Sequence, residues 1–320
     1  MKKKILITGC MGHLGFAITS YISKYYSVVG IYNKSIDLNK KNFLLAQKVK
    51  LIQNNLKDKK ILSQIIKKNN ITDCIYASAI AHDSLAVKKP EQTVFVNSLY
   101  PNFFLDFIKK NILKKFIYLS TGSVFQNIKS RKIKINEAVI PSPQSLYALS
   151  KRTFEIQLEN CFNNILKKKA CILRVSWIYG PPMLTNKIIP QRGPLAYVIN
   201  EILKKNKKKI YLPGKDFCAS FTYIDDVCES ILNLINKKFF FCSVYHLGTG
   251  TNNKVVEIIS ILKKKFPLIQ FLTSKGFSPW SNNSVVRGPL VSKHGKNALK
   301  TKYNLNGGIS EFLRYYQKNA

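Results

Sequence analysis

Lys4-Ile5-Leu6-Ile7-Thr8-Gly9-Cys10-Met11-Gly12-His13-Leu14-Gly15-Phe16-Ala17-Ile18-Thr19 begins as an apolar run, opens into glycines and closes in a helical pattern. The glycine spacing is G-x-x-G-x-x-G. Gly9 fits a tight turn after a strand. Gly12 lets backbone N–H groups approach a pyrophosphate at the positive end of the following helix. Gly15 allows that helix to pack closely on the strand. Glycines also punctuate ordinary loops; a position directly behind an N-terminal strand is what turns this spacing into a dinucleotide site. His13 and Leu14 complete the candidate cofactor contacts of the loop, where His13 could equally be a bystander.

Working outward, short apolar runs alternate with helical patterns. Strands are expected at Lys4–Thr8, Val28–Tyr32, Lys50–Gln53, Asp73–Ser78, Lys115–Ser120 and Ala170–Val175, and helices at Leu14–Lys24, Lys59–Lys68, Glu91–Lys110 and Ser145–Leu166. This βαβ rhythm predicts an α/β fold, a doubly wound parallel sheet of Rossmann type that binds ligand at the carboxyl ends of its strands. After Gly180 the rhythm loosens among prolines and glycines, until a strand at Ser243–Leu247. The expected organisation is a dinucleotide-binding part at 1–180, to which 215–250 returns, and a smaller C-terminal substrate lobe from 181–214 and 251–320. Lysine runs at 167–169, 207–209 and 263–265 are expected in the last turns of helices, where cations suit the dipole.

The second strand ends Ile31-Tyr32-Asn33-Lys34, without the acid that usually bonds an NAD ribose. Asn33 and Lys34 are candidate cofactor contacts. Lys34 either pairs with a 2′-phosphate, which makes the cofactor NADP with NAD as the alternative, or is one more surface lysine. Farther on, Tyr147 and Lys151 stand four apart on an expected helix and share a face. A nearby ammonium favours the phenolate, so the tyrosine can exchange a proton with a substrate oxygen near neutral pH. The fifth strand ends in Ser120-Thr121, where substrate should lie, and Thr121 is the candidate for positioning the reacting oxygen.

The 320 residues carry a formal charge of +36 with only six arginines. A nucleic-acid surface concentrates arginine and aromatics; here lysines are spread along the whole chain, so no specific nucleic-acid partner is expected. The field suits anionic small molecules. Seven scattered cysteines, without C-x-x-C or histidine clustering, argue against a metal site and for reduced cysteines in a cytoplasmic protein. No apolar run reaches the roughly 18–20 residues of a membrane span, and the first is too short for a signal-peptide core.

Together, T-G-x-x-G-x-x-G, Ser120-Thr121 before Val124-Phe125, Tyr147-x-x-x-Lys151, Arg174 to Pro181 and Phe221 to Val227 resemble the extended short-chain dehydrogenase/reductases, the NAD-dependent epimerase/dehydratase family. The resemblance covers about residues 4–250. It implies catalytic roles for Thr121, Tyr147 and Lys151, and cofactor contacts from Asn97 and from Asn55-Leu56, where the family has Asp-Leu. It also implies a structural role for Arg174. Gly122-Ser123 replace the Asp-Glu pair of the family's dehydratases, and Ser123 and Pro182 replace the Cys and His of its GDP-fucose-forming epimerase-reductases. The Arg174–Gly180 segment is similar to dTDP-4-dehydrorhamnose reductase-like members, with Trp177 either in the sugar pocket or in the core. Ser123, Trp177, Arg192 and Arg287 are candidate substrate contacts.

The resemblance implies a reductase of a nucleotide-linked keto-deoxysugar, of a kind used in polysaccharide biosynthesis, in a possible homodimer. A C4-epimerase that retains NAD is the alternative. A non-catalytic cofactor-binding regulator is the alternative of another class, although such relatives usually lose Tyr or Lys.

Replacing Lys34 by Ala tests the cofactor reading. Binding titrations should show NADPH weakened roughly tenfold or more, as expected for loss of a charge-assisted hydrogen bond of about 1.5–3 kcal/mol, with NADH nearly unchanged. Equal losses for both would withdraw the NADP preference.

Overall fold

Apolar runs without polar alternation must be buried on both faces, and the strands of this chain are built from them. The computed structural model describes residues 3–34, 37–128, 130, 132–181, 193–204, 207–276, 278–280 and 288–318. The chain opens with β1 (Lys4–Thr8), α1 (His13–Ile22), β2 (Ser27–Tyr32), α2 (Leu38–Ala46), β3 (Lys50–Gln53), α3 (Lys59–Lys68) and β4 (Asp73–Tyr76). It continues through α4 (Asp83–Lys88), α5 (Pro90–Val94), a π-helical turn (Phe95–Leu99) and α6 (Tyr100–Lys109). Next come β5 (Lys115–Thr121), a 3-10 turn (Gly122–Phe125), α7 (Leu146–Cys161) and β6 (Ala170–Val175). Beyond it lie β7 (Trp177–Tyr179), α8 (Pro194–Leu203), β8 (Lys209–Leu212), β9 (Cys218–Ala219), β10 (Phe221–Tyr223) and α9 (Ile224–Asn236). The last elements are β11 (Val244–Leu247), β12 (Asn253–Lys254), α10 (Val255–Lys265), β13 (Gln270–Thr273) and α11 (Leu305–Lys318).

Seven strands pair in the order β11-β6-β5-β4-β1-β2-β3, every neighbour parallel. This is the doubly wound Rossmann-type sheet expected from the alternation. Because all strands run one way, their carboxyl ends share an edge, and the order reverses between β1 and β4, which opens a crevice there. Alternate residues feed two cores. Ile5, Ile7, Ile117 and Leu173 pack with Phe16, Ile18, Val227 and Ile231 of α1 and α9. Leu6, Tyr76, Phe116 and Ile172 pack on the other face with Leu62, Phe104 and Phe154 of α3, α6 and α7. A third cluster joins Leu195, Ile210, Phe221, Ile258, Phe271 and Phe312, from α8, β8, β10, α10, β13 and α11. Among the described residues no helix is long and apolar enough to cross a membrane.

Several expectations need correction. The helix expected at Glu91–Lys110 is broken by the π turn, because Pro101 has no N–H to continue the ladder. Helix α2 escaped the periodicity reading because it buries only Leu44. The expected Ser145–Leu166 helix stops at Cys161, short of the poor helix formers Asn163-Asn164. Of the three lysine runs, only Lys263-Lys264-Lys265 ends a helix. Lys167 and Lys168 instead take positive φ in a turn, and Lys209 begins β8.

A Cβ at Gly15 would lie 2.1 Å from the Gly9 carbonyl oxygen, whereas one at Gly12 would lie 3.3 Å from it. Gly15→Ala should therefore cost about 1–3 kcal/mol as overpacking and lower the melting temperature by several degrees, with Gly12→Ala close to the parent. Matching thermal melts for all three proteins would contradict this packing role.

Candidate active site

At the carboxyl end of β1, Gly9 turns with φ +69°, and a Cβ there would sit 2.9 Å from the Ser78 Cα. Thr8 locks the two loops together: its Oγ1 accepts the Ala77 and Ser78 amides, both at 3.1 Å. Gly12 donates to the Gly9 carbonyl at 2.9 Å and is the N-cap of α1, with no side-chain cap bond and no acid in the first turn. A small, uncapped helix start fits an anionic group approaching the backbone. His13 Nε2 lies 2.9 Å from the Gly180 carbonyl, so its ring ties the loop to the end of β7. Leu14 is half-buried against the sheet core.

At the end of β5, buried Thr121 accepts the Ser123 amide at 3.1 Å and donates to the Ser123 hydroxyl at 3.2 Å. The chain then turns to α7 through Gln126, whose buried Oε1 accepts the Gln144 and Ser145 amides at 3.0 and 2.8 Å. Ser145 caps α7 by accepting the Ala148 amide. This places half-buried Tyr147 in the first turn and Lys151 one turn later, fully inside. Lys151 Nζ donates to the Leu119 carbonyl at 2.8 Å and lies 4.4 Å from the Tyr118 ring centroid. Burial pushes its pKa down to about 7, against the field of Glu155, which raises it. Lys151 is therefore a group that changes charge near neutrality.

Asn97 sits in the π turn. Its side chain accepts the Ile80 amide at 3.0 Å and donates to the Ile80 carbonyl and to Ser150 Oγ, at 3.2 and 3.0 Å. Ser150 in turn donates to the Tyr147 carbonyl. The loop after β4 is thus joined to the helix that carries Tyr147 and Lys151.

Behind the site lies a charged network that the sequence reading missed. Ser120 donates to Glu155 at 2.5 Å, and Arg174 holds both Glu155 oxygens at 2.9 and 2.7 Å. Burial raises the Glu155 pKa, but Arg174 and the Ser120 bond outweigh it and hold the carboxyl below its usual range. His246 accepts from Arg174 and donates Nδ1–H to the Ile135 carbonyl. Burial and Arg174 push its pKa down to about 4, which keeps it neutral. The i,i+4 spacing of Lys151 and Glu155 was a legible signal; the contacts of Gln126 and His246 left none.

Other candidates are less engaged. Asn33 and Lys34 are exposed beyond β2. Asn55 accepts the Lys57 amide, and Leu56 is buried at φ +63°. Trp177 meets Phe217 edge-on at 5.4 Å and tilts against Phe221. Arg192 and Arg287 lie outside the described residues. Cys10, Cys74, Cys171 and Cys228 are buried and the other three cysteines half-buried. Among the described residues no group of three His, Cys, Asp or Glu could hold a metal.

A family model described as the NAD dependent epimerase/dehydratase family matches residues 5–243. The chain belongs to that family. It is accordingly one of the extended short-chain dehydrogenase/reductases. It is 29% identical over 262 residues to the dTDP-D-glucose 4,6-dehydratase of Dictyostelium discoideum. That match covers 77% of this chain but only 58% of the relative's length. In fold it resembles a UDP-glucose 4-epimerase of Thermotoga maritima solved with UDP-glucose, with a TM-score of 0.80, 22% identity and 99% of each chain covered. A Thermus thermophilus UDP-glucose 4-epimerase in complex with NAD gives 0.80 at 18% identity, covering 99% of this chain and 100% of the other.

Within this epimerase/dehydratase framework, Tyr147→Phe isolates the phenol. Turnover should fall 10²–10⁴-fold, the typical contribution of a general acid–base group, while dinucleotide binding stays largely intact. Near-parental turnover in a cofactor-coupled assay would remove Tyr147 from the proton-transfer role.

Proposed function

We propose that the protein exchanges a hydride between a nicotinamide dinucleotide and a hydroxyl- or keto-bearing carbon of a nucleotide-linked sugar, without eliminating water. One observation carries this reading: the buried Lys151 ammonium, bonded to the Leu119 carbonyl two residues before Thr121, lies one helical turn from Tyr147. That trio stands at the sheet edge shared with the glycine loop. The dinucleotide supplies or takes the hydride when bound. The glycine loop turned at Gly9 and packed at Gly15 would hold its pyrophosphate on backbone N–H groups beside Gly12 at the start of α1, with His13, Leu14, Asn33, Lys34, Asn55, Leu56 and Asn97 around the dinucleotide. Lys151 contributes both to holding the cofactor and to lowering the Tyr147 pKa. Thr121 orients the sugar oxygen, and Tyr147 donates the proton to it or accepts the proton from it.

Gly122 and Ser123 occupy the turn after Thr121 and carry no carboxyl group. Elimination of a sugar hydroxyl needs an acid there that these residues do not supply, so dehydration is left out even though the Dictyostelium relative is named a dehydratase. Net reduction of a nucleotide-linked keto-deoxysugar with NADPH needs only Thr121, Tyr147 and Lys151. C4-epimerisation with retained NAD is the second reading. It is favoured by the UDP-glucose 4-epimerases of the same fold, one of them solved with NAD. Segments 181–214 and 251–320, which carry α8, β8, β12, α10, β13 and α11, would supply the sugar-binding lobe, with Ser123, Trp177, Arg192 and Arg287 as candidate contacts.

The product decides. Incubation with a nucleotide-linked 4-keto sugar and NADPH should yield, by mass spectrometry, a product heavier by two hydrogens, with one NADPH oxidised per molecule. An isomer of unchanged mass without net cofactor oxidation assigns epimerisation instead. A product lighter by one water overturns the exclusion of dehydration.

A further inference from the structure

We infer that Glu155 is a positioning residue whose buried carboxylate supports the Lys151 ammonium from one turn farther along α7. The inference rests on the catalytic reading of Tyr147 and Lys151 given above.

Two adjacent residues of β5 are each tied to a side chain of α7. The Leu119 carbonyl accepts from Lys151, and the Ser120 hydroxyl donates to Glu155. Lys151 and Glu155 are four apart on that helix and buried, both are tied to the strand that ends in Thr121, and the carboxylate's field raises the lysine against its burial. Tyr118 on β5 and Tyr147 on α7 are the titratable groups near the lysine, and the Tyr118 phenol is itself held neutral by burial. Glu155 is faced by Arg174 from β6, by Ser120 from β5 and by Arg152 from α7. Glu159 shares both arginines, and neutral His246 stands behind Arg174 with Glu137 on its backbone amide.

A brace between α7 and β6 would need only hydrogen bonds, and an amide at position 155 could keep several of them. The field at Lys151 needs the negative charge. Burial has already brought the lysine to about 7, so its ammonium is present below that pH and is lost as pH rises through it. An opposite charge within about 4–6 Å is worth about one to three pKa units. Without it, the ammonium that supports the Tyr147 phenolate retreats to lower pH.

Glu155→Gln and Glu155→Asp test this, through kcat/KM against pH and through NADPH and NADH affinity against pH by nicotinamide fluorescence. The expected result is that the basic limb of both profiles moves acidward by about one unit or more in E155Q, and that E155D restores most of the parental position. A uniform loss across pH with unmoved limbs, or equal profiles for the two variants, would reduce Glu155 to a brace. If E155Q fails to fold by thermal melt, Ser120→Ala, which removes one partner of the carboxylate, should move the limbs in the same direction by less; unmoved limbs there would overturn the inference. Binding of NADPH or NADH without turnover on any nucleotide sugar would refute the proposed reaction while the binding profile still judges Glu155. Absence of both binding and turnover would overturn both.

Discussion

Proline at position 101 leaves the Asn97 carbonyl without the amide that an α-helix would offer it. The ladder widens into a π turn at Phe95–Leu99, and two carbonyls are released toward the sheet. The Asn97 carbonyl accepts the Tyr118 hydroxyl, and the Val96 carbonyl accepts that of Tyr76. These tyrosines are register partners on β4 and β5 and stack at 5.9 Å. An unpaired buried carbonyl would cost about 1–3 kcal/mol, so the turn, the two phenols and the strand register stand or fall together. The Tyr118 ring that results is the surface on which the Lys151 ammonium rests. A break in helix geometry thus fixes the floor of the candidate site, as π turns often do.

The same logic governs the buried charges. Lys151, Glu155 and Arg174 are each costly to desolvate, and isolated they would neutralise or drag water inward. Stitched together through Ser120, the Leu119 carbonyl and His246, they form one connected system across β5, α7, β6 and β11. Such a system adds little net stability over an apolar core; burial brings the lysine down to about 7, and the Glu155 carboxylate opposes that fall.

Much of this was legible in the sequence, for local reasons. The glycine loop reads itself, because Gly9 needs its positive φ and Gly15 needs its missing Cβ. The six early strands and β11 were found from apolar runs alone, within a few residues of their bounds. Tyr147 and Lys151 were legible because helical spacing puts them on one face. What escaped depends on long-range contact. Gln126 holds the start of α7 from eighteen or more residues away, and His246 reaches Arg174 across seventy-two. Asn97 could be named only through the family resemblance, since nothing local announces a π turn except Pro101. Trp177 stayed ambiguous in sequence, and its ring lies among Phe217 and Phe221.

The charge of the chain also reads differently once its acids are placed. With 52 basic and 16 acidic side chains, carboxylates are scarce, and many serve internal needs. Asp37 and Asp58 cap α2 and α3, and Glu257 closes the start of α10. Asp226 accepts the amides of Lys302 and Tyr303, which anchors the chain ahead of α11. Glu137 receives the His246 and Lys293 amides, joining the segment before α7 to the one after residue 288. The molecule as a whole carries a strong positive charge. A net charge of that sign attracts anions at low salt, and the Debye length of about 8 Å at physiological ionic strength limits that attraction to short range. In the function proposed above, selectivity for one anionic ligand would then come from geometry, through the glycine loop, Thr121 and the Tyr147–Lys151 pair at the sheet edge.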